Sequence, residues 1–334
     1  MTSPDVKTQL AGLAKWESIL AITTIVLFVW AWQRTDNFSS AFNLSQATAG
    51  MAERALIVLP MALLIVVREI DVSVASTLAL ASVVLGVSVR AEHPLAVSIL
   101  LALVVGTAGG WLNGMLVTKL RLPALVVTLG TIALFRGLGY VVLGNASVNV
   151  LPAALNDFGL DTLGSTNIPW TIVPFLVAAP AFYVLAHHTP IGRRIYAIGG
   201  SPDVARYTGV PVDRYRVWLF TITGLMCAIA GIVFTARTAN ARANNALGME
   251  LDIITVVFLG GISMSGGRGR LAGVIWALVL VGLLRNVMTL NRINGNDQGT
   301  VIGLLLIGSL LLTNGADRLL TWNRRRRFIA ADQR

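Results

Sequence analysis

Long apolar runs recur along the chain, parted by short polar stretches. SILAITTIVLFVWAW (18–32), LAVSILLALVVGTAGG (95–110) and LAGVIWALVLVGLL (271–284) are apolar on every face. A surface helix of a soluble domain would show a single stripe. A bilayer span needs roughly 20 mostly apolar residues, and the pattern predicts about ten of them: 17–33, 51–68, 71–89, 95–117, 122–143, 169–187, 215–236, 251–265, 271–289 and 300–314. Period-2 alternation is missing, which excludes a membrane β-barrel. The predicted fold is an all-α polytopic bundle.

Two spans are interrupted. Leu59-Pro60 falls inside the second and Leu259-Gly260-Gly261 inside the eighth. Unwound backbone at membrane depth is tolerated only against protein or a water-filled cavity, so both places are expected to line a pathway. There is also an internal echo: Glu69-Ile70-Asp71 follows the second span and Glu250-Leu251-Asp252 precedes the eighth. With five spans per half, both tripeptides follow the second span of their half. An odd number makes the halves inverted, an arrangement many transporters share. Two long loops are expected, one outside at 145–168 and one inside at 188–214. Residues 1–16 read as a cytoplasmic N-terminal segment, 17–314 as the transmembrane domain and 315–334 as a basic cytoplasmic tail.

Composition narrows the class. The chain is 55% hydrophobic and 13% charged, where a soluble domain carries about 25% charge; mean hydropathy is +0.73. A net charge of +10 raises nucleic acid as a partner, but the basic residues sit in short loops and in the run RRRR at 324–327. With ten spans and a cytoplasmic N-terminus, 18 of 26 Lys and Arg lie inside, and Arg34, Arg90, Arg237, Arg242 and Arg292 outside. This is the positive-inside distribution; it places both termini in the cytoplasm and makes the lipid bilayer the partner, not nucleic acid. The single cysteine, Cys227, lies in an apolar span, which excludes disulfides, and three histidines are too few for a metal cluster. The polar start, with no small-residue cleavage site after its apolar run, reads as an uncleaved first helix.

No enzyme motif is present. The glycine-rich run Ser265–Gly269 lacks the Lys and Ser/Thr that hold phosphate and Mg²⁺ in a nucleotide loop, so no cofactor is expected on this chain. The acids at span edges draw attention, because carboxylates in a membrane domain mark a pathway or an ion pair. Glu69 and Asp71 stand beside Arg68, and Glu250 and Asp252 open the eighth span. Local ion pairing, or helix capping by Asp71 and Asp252, competes with a place for Glu69, Asp71, Ser73, Glu250 and Asp252 in a substrate path. Asn113, in a glycine-rich span, is expected in the same path, with a hydrogen bond between closely packed helices as the alternative. Trp30, Trp32, Trp170 and Trp322 fall near span ends, as interfacial tryptophans do. In the inner loop, Ser201 is a suitable N-cap, Pro202 and Asp203 suit a first turn, and Gly209 suits a left-handed stop. They predict a short amphipathic helix on the cytoplasmic face.

At this loop the sequence resembles a known family. The run Thr189-Pro-Ile-Gly-Arg-Arg-Ile-Tyr-Ala-Ile-Gly-Gly-Ser-Pro-Asp-Val-Ala-Arg-Tyr-Thr-Gly209 is similar to the inner-membrane permeases of ribose-, xylose- and arabinose-type ABC importers. So are Glu69–Ser73, Leu122–Thr131 with Phe135-Arg-Gly137, and Glu250–Gly261 with Gly266-Gly-Arg-Gly269. The resemblance runs from about residue 45 to 312. It implies a bacterial inner-membrane permease that dimerises with itself or a paralogue, served by a cytoplasmic ATPase that hydrolyses the ATP and by an extracytoplasmic sugar-binding protein. Ala205-Arg-Tyr-Thr-Gly209 matches the family's ATPase-docking pattern, which assigns Arg193, Arg194, Pro202, Asp203, Ala205, Arg206 and Gly209 to coupling. The chain departs from the family at Val72-Ser-Val-Ala75, where relatives carry Leu-Ser-Val-Gly. The wording at 250–255 leans towards a deoxy-sugar such as rhamnose, and autoinducer-2 importers have similar permeases. A proton-coupled carrier built on the four carboxylates, or a channel, remains the competing class.

Overall fold

The computed structural model describes residues 6–308, apart from 296 and 306. The basic tail at 315–334, Trp322 and the end of the tenth expected span lie outside the described residues. The helices are α1 (Val6–Arg34), α2 (Ala41–Ala49), α3 (Ala52–Val66), α4 (Val74–Arg90), α5 (Leu95–Lys119), α6 (Ala124–Leu143), α7 (Ala153–Leu160), α8 (Val173–His188), α9 (Pro190–Gly200), α10 (Pro202–Tyr207), α11 (Val212–Thr238), α12 (Met249–Leu259) and α13 (Leu271–Leu290). Helix resumes at 295 and extends, over the described residues, to 308, and no β-strand is present among the described residues.

Six helical stretches are long and apolar enough to cross a membrane, or seven if α2 and α3 count as one bent span. That is fewer than ten, because α4 and α12 are short and the last helix runs out of the described residues. The polar start is also helical, continuous with the first span from Val6 onward. Pro60 does not break the second span: α3 runs straight through it. The break falls at 50–51, where α2 and α3 meet at 43°. The eighth span does end at its glycines, since α12 stops at Leu259 and Gly261 turns left-handed at φ +86°.

The centre of the bundle is α3. All of its residues except Arg54 are buried, as befits a helix that is apolar all round. It lies against α11, α12, α8 and α13. The most extensive helix pairing among the described residues is between α5 and α11. A Cβ at Gly110 would collide with the Phe220 carbonyl and Gly224, so glycine there is what lets the backbones meet. Outward, α1, α5 and α6 expose Ile22, Val26, Leu100, Val126 and Val141, an apolar surface suited to lipid. Trp30 and Trp32 are also exposed and Trp170 only partly covered.

Candidate functional site

The segment 188–214, expected on the inner side, is more helical than its basic, glycine-rich composition suggests. Thr189 is extended and caps α9, accepting a bond from Gly192 N at 3.3 Å with Pro190 in the first turn. Ile195 and Ile198 of α9 are fully buried against the core, while Arg193 and Arg194 face out. Tyr196 donates to the Gly269 carbonyl at 2.8 Å. Burial pushes that phenol up to about 12, so it stays a donor at physiological pH. Arg194 reaches the Tyr215 hydroxyl at 3.0 Å.

The next helix, α10, starts and stops at the residues that predict it. Ser201 is extended and accepts from Val204 N at 3.4 Å. Pro202 opens the helix, Asp203 lies in its first turn, and Gly209 follows it at φ +83°. Of the coupling residues expected from the sequence, Ala205 points inward and is buried, whereas Asp203, Arg206 and Gly209 are exposed. Arg206 pairs with Asp213 at 2.9 Å. The residues presented most fully are Val204, 60% exposed, and Tyr207, 92% exposed. Sequence reasoning left both out, although they lie three apart and therefore on one helix face.

Next to this segment lies the loop between α3 and α4, which carries the first acidic tripeptide. Asp71 is buried and accepts two bonds from Ser73, one from its N–H at 2.8 Å and one from its hydroxyl at 2.6 Å. The Ser73 hydroxyl in turn accepts from the Asn113 amide at 2.9 Å. Asp71 thus closes the start of α4 and, through Ser73, ties it to α5. Asn113 Oδ1 is buried without a partner among the described residues. Glu69 is also buried, 2.9 Å from Arg216 Nε at the start of α11. That N–H does not point at the carboxylate, so the contact is an ion pair and not a good hydrogen bond. Burial raises the Glu69 carboxyl, and Arg216 pulls it part of the way back. Arg68 turns away from both acids and donates to the carbonyls of Gly199 and Gly200.

The second tripeptide lies elsewhere. Asp252 receives Arg285 at 2.7 Å and Arg54 at 3.2 Å. Arg54 is in the first turn of α3 and Glu69 follows its last, so a helix of 15 residues, about 22 Å, separates the two acidic sites. Glu250 is half-buried with Oε2 unpartnered among the described residues. The structure therefore gathers Glu69, Asp71, Ser73 and Asn113 beside residues 188–214, and sets Glu250 and Asp252 at the other end of the bundle. Glu53 joins that far end, fully buried and paired with Arg237. Neither it nor Arg54, Arg216 or Arg285 stands out in the sequence, since their partners are distant along the chain.

Comparison with known proteins identifies the family. The family described as branched-chain amino acid transport system / permease component matches residues 44–310. The autoinducer 2 import system permease protein LsrC of Yersinia enterocolitica is 38% identical over 73% of this chain and 67% of its own length. Its counterpart in Yersinia pseudotuberculosis is 34% identical over 88% of this chain and 83% of its own. No solved structure matches. With the match spanning both the acidic loop and residues 188–214, the chain belongs to this family of ABC-importer permease subunits, transport components that lack an ATPase site of their own.

Proposed function

We propose that this chain carries a monosaccharide or autoinducer-2-like solute inward across the bacterial inner membrane, as one half of a permease dimer. The observation that carries the reading is the inner segment: two capped helices, one seated in the core and the next presenting Val204 and Tyr207 outward. The permease supplies a path and a lever. A binding protein delivers the solute outside, and the ATPase docks on α10 inside. Each biases the same two-state bundle through contacts it makes in only one state. The solute is small and polyhydroxylated, a pentose, a deoxyhexose such as rhamnose, or autoinducer-2; the likeness to the two autoinducer 2 permeases supports the last.

Ten spans with both termini in the cytoplasm fit this role, counting the bent α2–α3 pair, α4, α12 and the helix at 295–308 as spans. Two reciprocal ion pairs support inverted halves. Glu69 of the first half pairs with Arg216 of the second, and Asp252 of the second with Arg54 of the first. A proton-coupled carrier has less support, because Glu69 and Asp252 are held in ion pairs about a helix length apart. The test is solute uptake by cells that express the chain with or without the ATPase. Uptake that needs the ATPase sustains the proposal. Uptake driven by a pH gradient without it overturns the proposal.

A further inference from the structure

We propose that Arg68 is the positioning residue that fastens the coupling segment to the acidic loop, so that displacement of α9 carries Glu69 and Asp71 with it. The proposal rests on the reading of 188–214 as the ATPase-docking segment and adds the route by which docking reaches the membrane interior.

Its neighbours in sequence lead one to expect Arg68 to neutralise Glu69 or Asp71. Instead it adopts a left-handed backbone, φ +68°, which costs an L-residue about 1 kcal/mol, and sends its guanidinium across to α9. Nε donates to the Gly199 carbonyl at 2.7 Å and Nη2 to the Gly200 carbonyl at 2.7 Å. These are the last two residues of α9, where carbonyls lack an intrahelical partner and the helix dipole is negative. The planar fork of arginine serves both oxygens at once; a lysine ammonium is a single point charge and does not. Both bonds are charge-assisted, the stronger class.

Two further ties meet at the same place. Gly267 N donates to the Val66 carbonyl at 2.8 Å, and Tyr196 holds Gly269. A Cβ at Gly199 would collide with the Val66 carbonyl and Gly267 N, and one at Gly266 with the Arg68 side chain. The ends of α3 and α9 and the loop at 266–269 therefore touch backbone to backbone, with no slack to absorb a displacement. Arg68 is bonded covalently to Glu69, and from there Asp71, Ser73 and Asn113 continue the connection into α5.

The test uses the permease purified with its ATPase. Cys227, buried and free, is replaced by Ala, and Val72→Cys, beside Asp71 and half-buried, reports by its rate of maleimide labelling. Trapping ATP on the partner is expected to change that rate by about fivefold or more in otherwise wild-type permease, the lower end of ordinary coupling between sites. Arg68→Ala is expected to abolish the change while the ATPase still co-purifies and hydrolyses ATP, which a general loss of folding would not allow. Arg68→Lys should give an intermediate response. Arg68→Gln, uncharged and too short for both carbonyls, should uncouple in the same way should Arg68→Ala fail to fold. A full labelling change in Arg68→Ala, or in both Arg68→Lys and Arg68→Gln, overturns the proposal while leaving the docking reading intact. If the wild-type chain brings down no ATPase, the docking reading fails first and takes the proposal with it.

Discussion

Replacing Asp252 with asparagine keeps the side chain's shape and removes the charge that Arg54 and Arg285 share. Both carboxylate oxygens lie 2.7 Å from Arg285 Nη2, and one lies 3.2 Å from Arg54 Nε. The carboxylate side chain is 9% exposed and the two guanidinium side chains 21% and 23%. Breaking a buried ion pair by removing one partner costs about 3–5 kcal/mol, and the partial exposure of both arginines places this case near 3 kcal/mol. The expected consequence is a fall of about 4 °C in the thermal midpoint of the detergent-extracted permease, from about 2.1 cal/mol/K of unfolding entropy per residue over 334 residues. Adding Arg54→Met to Asp252→Asn removes one of the two stranded cations and should recover about half of that loss. The comparison also separates two roles. A structural Asp252 predicts that uptake falls only as far as folded protein is lost. Unchanged thermal stability with uptake abolished would refute the reasoning and place Asp252 in contact with the solute.

Three other substitutions probe the face proposed to lie inside. Gly209→Asp forces a side chain into φ +83° at the end of α10 and places a negative charge at a helix C-terminus, about 1–2 kcal/mol against the docked geometry and a five- to thirtyfold loss of uptake; membrane insertion should be unaffected, and normal uptake with normal ATPase recruitment would count against the assignment of the loop. Because burial raises the Glu69 carboxyl above its ordinary value, its contribution to stability is fully present below the usual glutamate range and is lost as pH rises through the raised folded value. Glu69→Gln should therefore flatten the stability profile over that window, at a cost near neutrality for leaving Arg216, 19% exposed, without its partner; Arg216→Gln strands the more deeply buried carboxylate and should cost more. Equal profiles for wild type and Glu69→Gln would refute this.

The sequence discloses most where structure is decided locally. Apolar character on every face is a local property, and α1, α5, α6, α8, α11 and α13 follow from it. So does α10, whose Ser201, Pro202 and Gly209 act over a single turn. Thr189-Pro190 repeats the Ser201-Pro202 start and was the signal for α9, obscured by the arginines and glycines that follow. Pro60 misleads because a helix buried on all sides is held by its neighbours, so the chain yields at Gly50-Met51 instead. The ion-pair partners are not legible at all: Glu69 and Arg216, or Asp252 and Arg54, meet only after the halves of the chain have packed. The same applies to Arg68, whose nearest acids in sequence are not its partners.

The most direct test of the central claim is co-purification of a cytoplasmic ATPase with the detergent-solubilised chain, beside the same chain carrying Arg206→Glu. Arg206 lies on exposed α10, half exposed and paired with Asp213 at the surface, so its reversal alters the docking face and leaves the core untouched. The account predicts that the wild-type chain brings down a nucleotide-binding subunit and that Arg206→Glu loses it. A wild-type chain that recruits no ATPase and still transports under a pH gradient would contradict the account and move the buried carboxylates to its centre.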